Sequence, residues 1–78
     1  MSPNPLKNIP LKTFRDFLEW RGLKHIRTTG GHEVWSTKDL PRPVIIQTHI
    51  TPVPIHIVKN IFRTINCSVE DYIKFLKE

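Results

Sequence analysis

Hydrophobic residues recur at helical spacing in three parts of the chain. From Pro10 to residue 21 they fall at every third or fourth position, with oppositely charged i,i+4 pairs on the other side. Pro10 suits a first helical turn, and Gly22 suits the left-handed position after a last turn. A second stripe ends at Asn66, and a third begins after the potential cap Ser68. The pattern predicts three helices whose buried residues are Leu11, Phe14, Phe17 and Leu18, then Val58, Ile61, Phe62 and Ile65, and finally Val69, Tyr72, Ile73 and Leu76.

Two short runs on either side of Gly30-Gly31 have the pattern of a β-hairpin. A two-residue turn of glycines supplies the positive φ angles that the primed hairpin turns need. With this turn Thr29 lies opposite His32, and Ile26 lies opposite Trp35 as a pair on the core side. The opposite, polar face of the hairpin is then predicted to carry His25, Arg27, Thr29, His32, Val34 and Ser36.

A third strand is predicted at Val44–Thr48, the most β-branched stretch of the chain. The element order is therefore helix, three strands, helix and a short extra C-terminal helix. This order predicts the α+β class, as an αβββα sandwich with its helices on one face of the sheet. Residues 1–9 contain two prolines and are predicted to form a flexible N-terminal arm, so the single domain is expected at residues 10–78.

The chain is small and basic. It has 78 residues, a net charge of +5 and a pI near 9.8, with 38% hydrophobic and 24% charged residues. That balance fits one globular domain, and its basic charge makes it a candidate for binding a polyanion, most often a nucleic acid. The alternative is a small basic domain whose charge serves only its solubility. No apolar run approaches the ~20 residues of a membrane span, and residues 1–7 lack a signal peptide's apolar region, so we expect a cytoplasmic protein.

Metal and thiol chemistry receive little support from the residue types. The chain has one cysteine, Cys67, which excludes an internal disulfide and a thiolate zinc cluster. Cys67 precedes a helix N-cap, which would lower a thiol pKa, but a cysteine between two apolar helices also suits the core. The four histidines are seven, seventeen and seven residues apart, which fits no zinc pattern. We therefore expect neither a metal site nor a cofactor.

His32 differs from the other histidines because it follows Gly30-Gly31 directly and begins a strand on the predicted polar face. An imidazole group has an ordinary pKa near 6.5, so it takes or gives a proton at neutral pH. Beside an RNA phosphate it can deprotonate the 2′-hydroxyl, which then attacks the adjacent phosphorus. The alternative is an exposed turn histidine without a catalytic role.

The stretch Gly22–Trp35 resembles the HicA family of toxin ribonucleases. The family signature is a glycine that ends the first helix, a strand with an arginine, and Gly-Ser-His before an apolar strand. Gly22, Arg27 and Gly30-Gly31-His32 occupy those places here, and element order and length agree over residues 11–66. Gly31 departs from the pattern, since serine is usual at that position.

The segment Val44–His49 is similar to the family's third strand, which usually runs into Pro-x-His. Gln47 stands here where that proline is usual. The resemblance implies a fold similar to the double-stranded-RNA-binding domain, cleavage of mRNA with His32 as the essential catalytic group, and inhibition by a HicB-type antitoxin that covers the active face. Both departures leave the catalytic imidazole in place but leave room for a diverged or weakened nuclease.

Further candidates come from charge and position. His49 is a possible second proton-transfer group, although a histidine in an exit loop is more often structural or exposed. A non-catalytic RNA-binding module and a protein-interaction domain remain the competing functions. The residues expected to contact RNA are Lys24, Arg27, Gly30, Gly31, Lys59 and Arg63. Lys59 and Arg63 form a basic stripe with His56 on the second predicted helix, and the alternative is that this stripe is an ordinary solvated helix face.

Overall fold

The computed structural model describes residues 4–78. Its three strands form one antiparallel sheet in the order β1-β2-β3, and the buried side chains of the sheet meet the helices on one face. The α+β class, the αβββα order and the short extra C-terminal helix are therefore confirmed. In chain order the elements are α1 (Leu11–Trp20), β1 (Lys24–Thr29), β2 (His32–Ser36), β3 (Val44–Gln47), α2 (Ile55–Thr64) and α3 (Val69–Lys77).

Helix α1 begins and ends as its sequence predicts. Pro10 is the N-cap residue, with extended backbone angles. Gly22 has a φ of 98°, and the Leu23 amide donates to the Leu18 carbonyl at 2.9 Å, which closes the last turn. This left-handed stop turns the chain directly into β1. The four predicted apolar residues of α1 are all buried.

The core is dominated by aromatic rings around Phe17, which is fully buried. Its ring centroid lies 5.3 Å from that of Phe62 and 5.2 Å from that of Tyr72. These contacts join α1, α2 and α3 in one layer beneath the sheet. The sheet contributes Trp35, Val44 and Ile46 to the same core.

Helix α3 packs along a narrower stripe than its sequence predicts. Ser68 caps it through the predicted reciprocal hydrogen bonds with Asp71. Tyr72 is buried, but Val69 is 39% exposed and Leu76 is 53% exposed, so their predicted burial is wrong. The reason is that α3 contacts the aromatic core through Tyr72 and the half-buried Phe75.

The segment before α1 is part of the domain. Leu6 is 4% exposed and Ile9 is 2% exposed, and both belong to the core. The Val53 amide donates to the Ile9 carbonyl at 2.8 Å, which ties this segment to the loop before α2. The expected flexible arm is therefore wrong for residues 4–9, because their apolar side chains fill the core edge. Residues 1–3 lie outside the described residues.

The hairpin turn has the predicted length. Gly30 has a φ of 55° and Gly31 a φ of 82°, as a two-residue primed turn requires. Thr29 pairs with His32, which confirms the predicted register next to the turn.

Farther from the turn, the predicted register fails at a β-bulge between His25 and Arg27. His25, rather than Ile26, lies opposite Trp35, with ring centroids 5.6 Å apart. Ile26 is 54% exposed, so the expected Ile26–Trp35 core pair is wrong, and so is the placement of His25 on the polar face. The bulge inserts one residue into an edge strand whose six residues are all exposed, so no core packing opposes the shift.

Candidate functional site

His32 lies on the face of the sheet that is turned away from the helices. Cross-strand partners in an antiparallel sheet share a face, and His32 has Thr29 on one side and Gln47 on the other. The next row consists of Arg27, Val34 and Ile45. We call these six residues the open face.

The open face is both basic and apolar, and its two rows contain no carboxylate. Arg27 and His32 are exposed. Ile45 is 53% exposed, whereas Val34 is only 8% exposed. The predicted polar surface is thus confirmed for Arg27, Thr29 and His32, but apolar side chains lie directly beside them.

A groove of about 310 Å³ runs along the β3 edge of the sheet. His32 and His56 both line it, with Gln47 as the third polar side chain. The remaining lining residues are apolar and come from β3, the loop that follows it, and the starts of α1 and α2: Leu11, Ile45, Ile46, Ile50, Val53, Pro54 and Ile57.

His56 was not predicted to share a site with His32. The sequence places it on the exposed side of α2, which the structure confirms. The first turn of α2 returns beside the end of β3, and this return brings the His56 imidazole to the groove. Little in the sequence indicated that His56 would lie near His32, because the direction in which α2 runs relative to the sheet depends on the whole fold.

His49 lies close to the hairpin turn from the other side. A Cβ atom at Gly31 would stand 3.6 Å from the Nδ1 atom of His49. The amide and the hydroxyl of Thr48 both donate to the Gly31 carbonyl, at 2.8 and 3.1 Å, and fix this approach. The structure therefore brings His49 next to the residue that precedes His32, as a second imidazole near the hairpin.

The candidate RNA-binding cations are all exposed, but they do not converge on one point. Arg27 lies in the row next to His32. Lys59 and Arg63 follow His56 along the exposed side of α2. Lys24 pairs with Ser36 at the far end of the hairpin, four residues or roughly 13 Å along β2 from His32.

A buried ion pair lies behind His32 on the helical face. Glu33 is 7% exposed, forms an ion pair with Arg15 and accepts a hydrogen bond from the Trp35 indole at 2.9 Å. Burial alone would raise the pKa of Glu33, but these hydrogen bonds and the Arg15 charge outweigh it and lower the pKa. By strand alternation Glu33 lies on the same face as Trp35, the predicted core side. A buried glutamate needs a charged or hydrogen-bonding partner, so this position was the signal in the sequence that such a partner exists.

Cys67 does not provide a nucleophile. It is half-buried against the core, and burial raises the pKa of its thiol to about 11. The thiol is therefore neutral at physiological pH, so the reading of Cys67 as an activated thiolate is not supported. Among residues 4–78 no group of three or more histidine, cysteine or acidic side chains could hold a metal ion.

No helix within the described part of the chain is long and apolar enough to cross a membrane. Comparison of the chain with known protein families, with curated proteins and with solved structures finds no match. The case for a function rests on the residues of the groove and the open face.

Proposed function

We propose that this protein is a metal-independent endoribonuclease of the HicA type, the toxin component of a toxin–antitoxin pair, and that it cleaves mRNA with His32 as a proton-transfer group. The observation that carries the proposal is the position of His32, exposed at the edge of a basic open face and in the wall of a groove. The resemblance of Gly22–Trp35 to that family supports the same chemistry.

The proposed reaction is an internal transesterification. The neutral His32 imidazole takes the proton of the ribose 2′-hydroxyl, and the 2′-oxygen attacks the adjacent phosphorus. The bond between phosphorus and the 5′-oxygen breaks, and the leaving oxygen takes a proton from a second group. The products are a 2′,3′-cyclic phosphate and a 5′-hydroxyl. One positioned acid or base contributes about 10²–10⁴-fold to such a rate.

His56 is the better placed candidate for the second group. It shares the groove with His32, so an RNA strand in the groove would contact both imidazoles. His49 approaches the hairpin behind Gly31 and would reach the phosphate from outside the groove. The proposed assignment is therefore His32 as base and His56 as acid, with His49 as the alternative acid.

Cations near the groove would hold the RNA backbone. Arg27 lies one row from His32, and Lys59 continues the exposed side of α2 beyond His56. Recognition in this arrangement would depend on phosphate and 2′-hydroxyl contacts more than on base edges. The Gly30 and Gly31 backbone would allow close approach of the strand, because neither residue carries a side chain.

A protein partner of the HicB type would cover the open face and inhibit the nuclease in the cytoplasm. The exposed Ile45 side chain of the open face, and the exposed Ile26 in the bulge of β1, would give such an interface apolar area.

The competing function is an RNA-binding module without catalysis. Labelled single-stranded RNA is incubated in EDTA with the parent protein, with His32→Ala and with His25→Ala, a matched control on the other face of the hairpin. Cleavage by the parent and by His25→Ala, but not by His32→Ala, supports the nuclease, provided that all three have the same circular dichroism. Salt-sensitive binding without cleavage would favour the module. Absence of RNA affinity at low salt would favour a protein-interaction domain.

A further inference from the structure

We infer that Arg42 and Arg63, with the Asn60 amide, form a subsite for a backbone phosphate of the RNA, separate from the groove that contains His32. This inference rests on the proposed function for the identity of the polyanion. It adds Arg42, which no sequence motif indicated, and gives Arg63 a specific partner. The subsite would set how the RNA strand is aligned for cleavage.

The cleft is built from four side chains only. Arg42, Asn60, Arg63 and Thr64 line a space of about 350 Å³ in which no carboxylate takes part. Among residues 4–78 neither arginine forms an ion pair. Two guanidinium groups that face one cleft without a carboxylate repel each other, so the cleft favours an anion.

The chemistry of the lining residues matches a phosphate group. A guanidinium donates two parallel N–H groups to two phosphate oxygens, and the Asn60 amide adds a neutral donor. Pro41 and Pro43 flank Arg42 and restrict the backbone that presents it. The two arginines belong to different elements, the β2–β3 connection and the last turn of α2, so the cleft is a product of the fold.

The cleft and the groove lie at opposite ends of β3 and α2, and the proposed track of the RNA strand runs between them. Gln47 and His56 line the groove, whereas Arg42, just before β3, and Arg63, near the end of α2, line the cleft. The seven residues from His56 to Arg63 correspond to roughly 10 Å of helix. That distance spans on the order of three nucleotides of a stacked single strand. One RNA strand along this track would contact both sites.

A competing explanation is that Arg63 only offsets the partial negative charge at the C-terminal end of α2. In that case Arg42 would have no part in binding. The two explanations therefore differ most clearly in the behaviour of an Arg42 variant.

The test uses a His32→Ala background, which is expected to slow cleavage, and a fluorescent single-stranded RNA of about eight nucleotides. Adding Arg42→Ala is expected to weaken binding by about three- to tenfold and to reduce the slope of log affinity against log salt by about 0.7. Lys38→Ala is the matched control, because it removes the same charge from the same connection but lies outside the cleft. Parent-like binding by Arg42→Ala, or an equal loss in Lys38→Ala, overturns the subsite.

Two further measurements separate this inference from the proposed function. In the cleaving parent, Arg42→Ala should lower kcat/KM for the longer RNA and leave a dinucleoside monophosphate unaffected, since the latter cannot span the track. If the parent cleaves no RNA, the proposed nuclease function is rejected, but the binding measurement with Arg42→Ala still tests the subsite. If the parent binds no RNA, the anion site is tested by titration with inorganic pyrophosphate, and binding is followed by the NMR signals of the arginine Nε–H groups. A response that Arg42→Ala abolishes supports the anion site, and no response overturns it.

Discussion

His32 and His56 line the same groove, although they belong to two different elements, β2 and α2. His32 is the first residue of β2, and His56 lies in the first turn of α2. Two imidazoles that face one groove are suited to divide the work of a base and an acid. This relationship is the basis for assigning the leaving-group proton to His56.

We expect His56→Ala to lower kcat by about 10²-fold or more, because the leaving 5′-oxygen then lacks its proton donor. His49→Ala should lower kcat less. The measurement is kcat on a short RNA for both variants. A parent-like kcat in His56→Ala, with a large loss in His49→Ala, would transfer the role to His49.

The buried Glu33 carboxylate, on the opposite side of the sheet from the open face, should stabilise the protein in a pH-dependent way. The pKa of Glu33 is lowered in the folded chain, so its contribution is fully present above the ordinary glutamate range and is lost as pH falls through the folded value. Glu33→Gln should reduce the free energy of unfolding by about 1–3 kcal/mol at pH 7, and by less at pH 3.

Urea unfolding at the two pH values measures this difference. Asp16→Asn is the matched control, because Asp16 pairs with Lys12 on the surface at 3.2 Å and should change stability by about 0.5 kcal/mol or less. An equal effect of Glu33→Gln at both pH values would show that the ion pair with Arg15 is not the source of the stability.

Gly31 should resist substitution by the serine that is usual in the resembled family. Its φ of 82° lies in the left-handed region, and a new Cβ would contact the His49 ring. We expect Gly31→Ser to cost about 1–2 kcal/mol of unfolding free energy. Gly30→Asn is the control, since nothing lies within 4 Å of its Cβ position and asparagine suits a primed turn. Equal stability of the two variants would contradict the argument.

Cys67 should react slowly with alkylating reagents in the folded protein. Its pKa of about 11 leaves the thiol protonated at pH 8, and only the thiolate is the nucleophile. We expect iodoacetamide to label the urea-unfolded chain much faster than the native chain, as followed by mass spectrometry. Rapid native labelling would instead indicate an activated thiolate.

Periodicity was sufficient to predict α1, α2 and the hairpin turn, because their apolar spacing and the Gly30-Gly31 pair depend on local chain geometry. The bulge that exposes Ile26 could not be predicted, since no core packing fixes the register of the fully exposed strand β1. The exposure of Val69 has the same kind of cause, because only one stripe of α3 meets the core.

The candidate site was predictable in part. The Gly30-Gly31 turn drew attention to His32, the residue that follows it, and strand alternation placed Arg27 on the same face of the sheet as His32. The approach of His56 and the Arg15–Glu33 pair both join residues that are distant in the chain, so neither follows from local spacing. Such contacts arise only when the whole layer of helices is assembled on the sheet.

The most direct test of the central claim is single-turnover cleavage of a labelled RNA by His32→Ala, with the 3′ ends of the products identified by mass spectrometry. The parent and His25→Ala should give 2′,3′-cyclic phosphate ends, and His32→Ala should be slower by about 10²-fold or more while it still binds RNA. Cleavage by His32→Ala at the parent rate would contradict the assignment of His32 as the catalytic group.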